Sequence, residues 1–234
     1  MKKGFWAILT ALVLALCLVQ APALAASVPS TQWEDYAADA FAGGTGTEAD
    51  PYLIETAAQL AKLAKDVKNR QSYEGNYFRL EKDIDLSAHR WNPIGVYAWL
   101  PSGATTTRPF RGFLDGNHKN ISGLTVSEKN KENAAGLFGN IRKGNNNGKT
   151  GVKDLTIQNA YIEANNNGLM ENSAGILAGY VLANDGYTIE FSGITVSGAM
   201  RMDRSKGSMI AGGMLGNVSR VTVTDCHAVN MDIE

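Results

Sequence analysis

Apolar residues recur along this chain with two different periods, and the change from one to the other divides it. Leu60, Leu63, Ala64 and Val67 follow the i, i+3, i+4, i+7 spacing of one helical face. Just before them, Thr56-Ala57-Ala58-Gln59 is a capping-box pattern, in which a hydroxyl and an amide side chain satisfy free N–H groups at a helix start. One amphipathic helix is therefore predicted over residues 57–68. Upstream, residues 26–42 are polar and without period, and Gly43-Gly44-Thr45-Gly46-Thr47 is too rich in glycine for an element interior. Pro51-Tyr52-Leu53-Ile54 reads as a short strand. Downstream the period becomes two. Tyr77-Phe78-Arg79-Leu80, Ile84-Asp85-Leu86, Phe110-Arg111-Gly112-Phe113 and Ile121 to Val126 are short strands separated by turn formers such as Asp115-Gly116-Asn117.

The pattern repeats. Ala134-Ala135-Gly136-Leu137-Phe138-Gly139-Asn140-Ile141 returns as Ala174-Gly175-Ile176-Leu177-Ala178-Gly179-Tyr180-Val181 and as Ala211-Gly212-Gly213-Met214-Leu215-Gly216-Asn217-Val218. An aliphatic–Thr–aliphatic triplet recurs at Leu124-Thr125-Val126, Leu155-Thr156-Ile157, Ile194-Thr195-Val196 and Val221-Thr222-Val223. Strands at an irregular step of 27 to 39 residues are what a coil closing once per repeat produces, with loops of unequal length taking up the slack. The expected fold is mainly β: a right-handed parallel β-helix, or solenoid, over residues 43–234, with repeats over residues 121–234. Stacking such coils places Leu124, Leu155, Ile194 and Val221 in one interior column and Val126, Ile157, Val196 and Val223 in the next. Thr125, Thr156, Thr195 and Thr222 then form an outward row, because side chains alternate across a strand. The repeated glycines Gly136, Gly139, Gly175, Gly179, Gly212 and Gly216 suit sharp turns or close approach between coils. The helix is expected to cover the N-terminal end of the stack. At the other end, Met231-Asp232-Ile233-Glu234 is still strand-like, so that end is expected to be uncapped.

Composition adds a compartment. Lys2 and Lys3, an apolar run from Phe5 to Val19, and Ala23-Leu24-Ala25 are the parts of a secretory signal peptide, so residues 1–25 are expected to be removed. No membrane insertion is expected after that removal. Cys226 then remains alone, which excludes an intramolecular disulfide. The formal net charge of −1, with no long run of either sign, argues against nucleic acid as a partner.

Gly136-Leu137-Phe138-Gly139 resembles the GLUG repeat, named after the motif Gly-Leu-any-Gly, of bacterial surface adhesins. The same repeats lie beside the peptidase region of some immunoglobulin A proteases. The copies beginning at Gly175 and Gly212 are degenerate. The similarity extends to the lead-in Gly44 to Ile54, to the Tyr77–Leu86 block, to Trp91-Asn92-Pro93-Ile94-Gly95, and to the Leu114–Leu124 turn, where His118-Lys119 stands in place of the usual Gly-His. The resemblance implies a parallel β-helix in an exported, cell-surface setting and implies no catalytic residue. No sortase-type signal, surface-layer domain or His-Glu-x-x-His motif accompanies it.

Candidate sites are few. Trp91, Tyr97 and Trp99 cluster beside a long loop from Val96 to Arg108, with Tyr73 and Tyr77 upstream, and aromatic faces at such a lip suit stacking on sugar rings. Asp83, Asp85 and Asp115 have the residue type of sugar-cleaving acids or calcium ligands. However, they sit at strand ends and in an Asp-Gly turn, where Asp serves the backbone, and no Arg or Lys is spaced in sequence to complete a catalytic set. His89, His118 and His227 are scattered without metal-ligand spacing. No catalytic residue, metal or cofactor is therefore expected. The sequence points to a secreted or cell-surface-associated binding or spacer module, adhesin-like and not an enzyme. Its expected partners are a glycan or surface protein, with self-association possible through the C-terminal edge. A polysaccharide lyase or glycoside hydrolase on the same fold is the alternative.

Overall fold

The computed structural model describes residues 28–99, 102, 105–127, 133–144, 148–165, 172–203 and 208–234; the leader-like segment lies outside them. The chain forms a parallel β-solenoid of about four turns with one α-helix at its N-terminal end. The largest wall carries β1 (Tyr52–Ile54), β2 (Tyr77–Leu80), β6 (Phe113–Ser122), β10 (Gly151–Asn165), β13 (Ile189–Asp203) and β16 (Val221–Ile233) in that order. The short β3 (Ile84–Asp85) pairs with β6, and β7 (Thr125–Val126) with β10. A second wall stacks β8 (Ala134–Ala135), β11 (Asn172–Ala174) and β14 (Met209–Ala211). A third stacks β9 (Phe138–Lys143), β12 (Ala178–Ala183) and β15 (Leu215–Ser219). All of these pairings are parallel. An antiparallel hairpin, β4 (Val96–Trp99) with β5 (Thr105–Arg108), projects from the coils.

The long strands of the first wall bend at single residues. Asn117, His118, Asp154 and Asp225 have φ between 50° and 55°, and Gly193, level with Asp154 and Asp225, has φ 62°. Asn, Asp and Gly tolerate this left-handed region, the first two because their short polar side chains bond locally. A second bend uses Gly123, Asn159 and Asn230 in the same way, with φ 66°, 55° and 49°.

These corners fix the register, and the register differs from the columns expected of the aliphatic–Thr–aliphatic triplets. Leu155 does lie on Ile194, and Ile157 on Val196. Beneath them, however, come Cys226 and Ala228, while Val221 and Val223 lie under Ile189 and Phe191. Above them, Val126 lies on Ile162 rather than on Ile157. The continuous interior columns are Phe78–Leu114–Val152–Phe191–Val223 and Ile84–Ile121–Ile157–Val196–Ala228. The expected threonine row dissolves for the same reason: Thr156 and Thr195 are neighbours, but Thr125 lies beside Tyr161 and Thr222 beside Glu190. An aliphatic–polar–aliphatic triplet fits any inward-facing stretch of strand, so it carries no register of its own.

The helix α1 (Ala57–Lys68) buries Leu60, Leu63, Ala64 and Val67 in the same core as Ile54 and Phe78. Fully buried Leu60, Leu63 and Val67 each contribute roughly 1.5–3 kcal/mol. The Thr56 hydroxyl accepts from Gln59 N at 3.2 Å. The Gln59 side chain accepts from Glu55 N at 2.7 Å, one residue earlier than in a standard capping box. At the opposite end, the last coil has no strand beyond it among the described residues, and Val223 and Ile233 are 48% and 47% exposed.

Candidate ligand groove

The aromatic residues singled out in the sequence part company in the structure. Trp91 is fully buried, and its indole donates to the Leu137 carbonyl at 2.9 Å. A ring without exposed surface offers none to a sugar, so Trp91 is a core residue. Tyr97 is half-buried and stacked on Tyr180, with centroids 4.2 Å apart and planes 4° from parallel. The Arg142 guanidinium lies near both rings, 5.8 Å and 5.4 Å from their centroids. Tyr97 thus fastens the β4–β5 hairpin to the third wall. The side chain of Trp99 lies outside the described residues. The motif glycines sit where backbones come close. A Cβ at Gly179 would stand 2.7 Å from Ala135 N, and one at Gly216 2.8 Å from Ala174 O.

A groove of about 440 Å³ runs along the outer face of the first wall; of the residues singled out in the sequence, Tyr77 and Asp115 line it. Two outward rows, two residues apart in every strand, form it. One row reads Tyr77, Phe113, Gly151, Glu190; the other reads Arg79, Asp115, Lys153, Ser192. Parallel pairing sets successive members at roughly the 4.8 Å strand spacing. Gly151 is buried, and a Cβ there would meet the Glu190 carbonyl, so this place in the row admits no side chain. Half-buried Tyr77 leans on nearly buried Phe113, with centroids 5.9 Å apart and planes tilted by 47°. A lip of Glu48 and Lys149, paired at 3.1 Å, closes one side.

Charges of both signs converge here, contrary to the expectation that no basic residue could join the candidate acids. Lys153 Nζ lies 3.1 Å from Asp115 Oδ2 and 3.2 Å from Asp154 Oδ2. Partial burial pulls the Lys153 pKa down, but the hydrogen bonds and charges of Asp115 and Asp154 outweigh it and hold the ammonium above its usual value. At neutral pH Lys153 is therefore a fixed cation and a poor general base. A hydrogen bond from Lys149 to Glu48 likewise raises the Lys149 pKa. The pairing of Lys153 was invisible in sequence because it joins neighbouring coils; the signal was the recurrence of a polar residue two positions after Tyr77, Phe113, Gly151 and Glu190.

The remaining candidates serve the backbone. Asp83 accepts from Asn120 N at 2.8 Å, Asp85 from Ser87 N at 2.9 Å, and Asp115 from Asn117 N at 2.8 Å through its second oxygen. His89 stacks on Tyr36, with centroids 4.0 Å apart, and His227 pairs with Asp225 at 3.0 Å. No cluster of His, Cys, Asp and Glu suited to a metal occurs among the described residues. Cys226 is half-buried, and burial pushes its thiol pKa up. No helix among the described residues is long and apolar enough to cross a membrane.

Comparison with known proteins adds two relatives. The chain is 41% identical over 123 residues to a protein of Evansella cellulosilytica described as a Gly-rich membrane protein, a match covering 52% of this chain and 12% of the relative. It is 32% identical over 175 residues to halomucin of Haloquadratum walsbyi, covering 73% of this chain and 2% of halomucin. The chain is a β-solenoid module related to a stretch of halomucin. It spans only a small fraction of the length of either relative. No protein-family profile matches it, and no solved structure matches it significantly. The GLUG likeness accordingly rests on the motif and lead-in residues.

Proposed function

We propose that this chain is a non-catalytic, adhesin-like solenoid module of the GLUG type, acting outside the cell and associated with its surface, which binds a polysaccharide along the Tyr77–Ser192 groove. The observation that carries this reading is the groove's construction. A tyrosine platform stands beside a row of charged and hydroxyl groups at strand spacing, and Lys149 and Lys153 each pair with carboxylates. Such a surface offers hydrogen bonds to many hydroxyls of an extended chain, with a half-buried aromatic ring beside them. The leader pattern over residues 1–25 and the membrane-protein relative support the location.

The test is a glycan array followed by calorimetry on residues 26–234. Neutral polysaccharide binding should weaken roughly tenfold with Tyr77→Ala, as expected for loss of a stacked ring. Binding that is absent across the array, or indifferent to Tyr77→Ala and Ser192→Trp, refutes the groove assignment and leaves a spacer role.

A second reading has one observation in its favour: Asp115, Lys153 and Glu190 line one groove, a convergence of carboxylates with a cation of the kind a polysaccharide lyase or hydrolase uses. Release of reducing ends or unsaturated products, abolished by Asp115→Asn or Lys153→Met in a folded protein, would establish cleavage.

A further inference from the structure

A second cleft, of about 480 Å³, lies away from the groove, between the C-terminal end of α1 and the β4–β5 hairpin. Its walls are Val67, Arg70, Ser72, the Thr105–Arg108 strand, Pro109 and Arg111. Three guanidiniums and four hydroxyls thus line it, with no carboxylate among the described lining residues. In a chain with a net charge of −1, this is a local concentration of positive charge. Two of the arginines are partly engaged. Arg108 donates to the Lys68 carbonyl at the helix end, which aims its fork, and Arg111 pairs at 3.2 Å with Glu74 at the rim. The Arg70 guanidinium has no hydrogen bond or ion pair among the described residues.

Arg70 also occupies a position that the fold would fill better with glycine. Arg70 N bonds to the Val67 carbonyl and Gln71 N to the Asp66 carbonyl, the closing pattern of a helix whose next residue is left-handed. Arg70 takes that conformation with φ 78°. Glycine adopts it without strain, whereas an arginine there is conformationally disfavoured. The helix end therefore does not account for the side chain. A guanidinium without a partner among the described residues, lining one hydroxyl-bearing cleft with two others, matches oxyanion recognition, for which arginine's planar fork is suited.

From this we infer that the Arg70–Arg108–Arg111 cleft binds the sulfate or carboxylate groups of an acidic polysaccharide, with Ser72 and Thr105–Thr107 bonding the neighbouring sugar hydroxyls. The site is separate from the Tyr77 groove and stands or falls independently of it.

The probe pair is dextran sulfate against unmodified dextran, with residues 26–234 titrated at low and high salt. Dextran sulfate should bind and dextran should not, and the affinity should fall as salt screens the cleft. Arg70→Gly should weaken binding roughly tenfold, the loss of one charge-assisted contact, while the melting temperature stays level or rises. Lys65→Gln, which removes an equal charge from the exposed face of α1, should leave binding unchanged. The proposal is overturned if Arg70→Gly binds like the parent, or if Lys65→Gln weakens binding as much, which would mean diffuse attraction only. Loss of dextran sulfate binding with Tyr77→Ala would move the anion site to the groove. Tighter binding to a single-stranded oligonucleotide than to dextran sulfate would overturn the glycan assignment.

Discussion

Replacing Gly179 by alanine tests how tightly the coils are stacked. Gly179 lies in β12, the middle strand of the third wall, with a coil on either side. A Cβ there would stand 2.7 Å from Ala135 N, 2.9 Å from Ser173 O and 3.0 Å from Ala134 C, all backbone atoms. Ordinary contact begins near 3.4 Å, so one methyl group has to push a neighbouring coil by about half an ångström, and no flexible side chain is present to yield. Insertions into packed interiors cost about 1–3 kcal/mol, and the rigid surroundings put this one at the upper end. For a domain of this size about 1 kcal/mol lowers the melting temperature by roughly 2–4 °C, so a cost of about 3 kcal/mol gives a drop of about 6–12 °C. Gly43→Ala is the matched control: its nearest neighbour beyond the adjoining residues is the Leu53 side chain at 3.6 Å. Urea unfolding followed by circular dichroism compares the two. A Gly179→Ala protein within about 0.5 kcal/mol of the parent, or a Gly43→Ala protein equally destabilised, refutes the claim that backbone approach is what demands glycine in this repeat.

The helix offers a second measurement: Leu63→Ala removes a fully buried side chain from α1 and should cost about 2–5 kcal/mol, read by the same unfolding curve. Alkaline pH offers a third. Burial, then the hydrogen bond to Asp66 at 2.6 Å, raises the Tyr73 pKa far above its ordinary value of 10.0. The neutral phenol's contribution is complete below pH 10.0 and is lost as the pH rises beyond it, because the unfolded chain ionises first. Tyr73→Phe should be less stable than the parent at neutral pH and should lose less stability above pH 10; parallel pH profiles for the two proteins would contradict this. Finally, residues 26–234 should self-associate through the exposed Val223 and Ile233, and light scattering over a concentration series should show the association reduced by Val223→Lys.

What could be read in the sequence was what a single segment encodes. The helix over residues 57–68 was legible because its apolar stripe and capping residues lie within four turns of one another. The parallel coil was legible because its strand motif recurs. Register was not, since Val221-Thr222-Val223 satisfies an inward strand position equally well beneath Ile194 or beneath Ile189. The information lay instead in residues that tolerate a left-handed backbone, Asp154, Gly193 and Asp225, which mark equivalent corners. The groove was hidden for a related reason: Arg79, Asp115, Lys153 and Ser192 come from four coils separated by loops of unequal length, so no window along the chain contains two of them. Trp91 misled in the opposite way, because neighbours in sequence suggested an aromatic lip although its ring points inward to the Leu137 carbonyl.

Because one left-handed residue is enough to turn the first wall, the bend makes no demand on the segments that join one wall to another. The segment Asn184–Gly186, for example, can lengthen, shorten or change chemistry while the ladder beside it keeps its alignment. Architecture and surface character are thereby uncoupled: new recognition features can be installed on one turn without retuning the turns above and below.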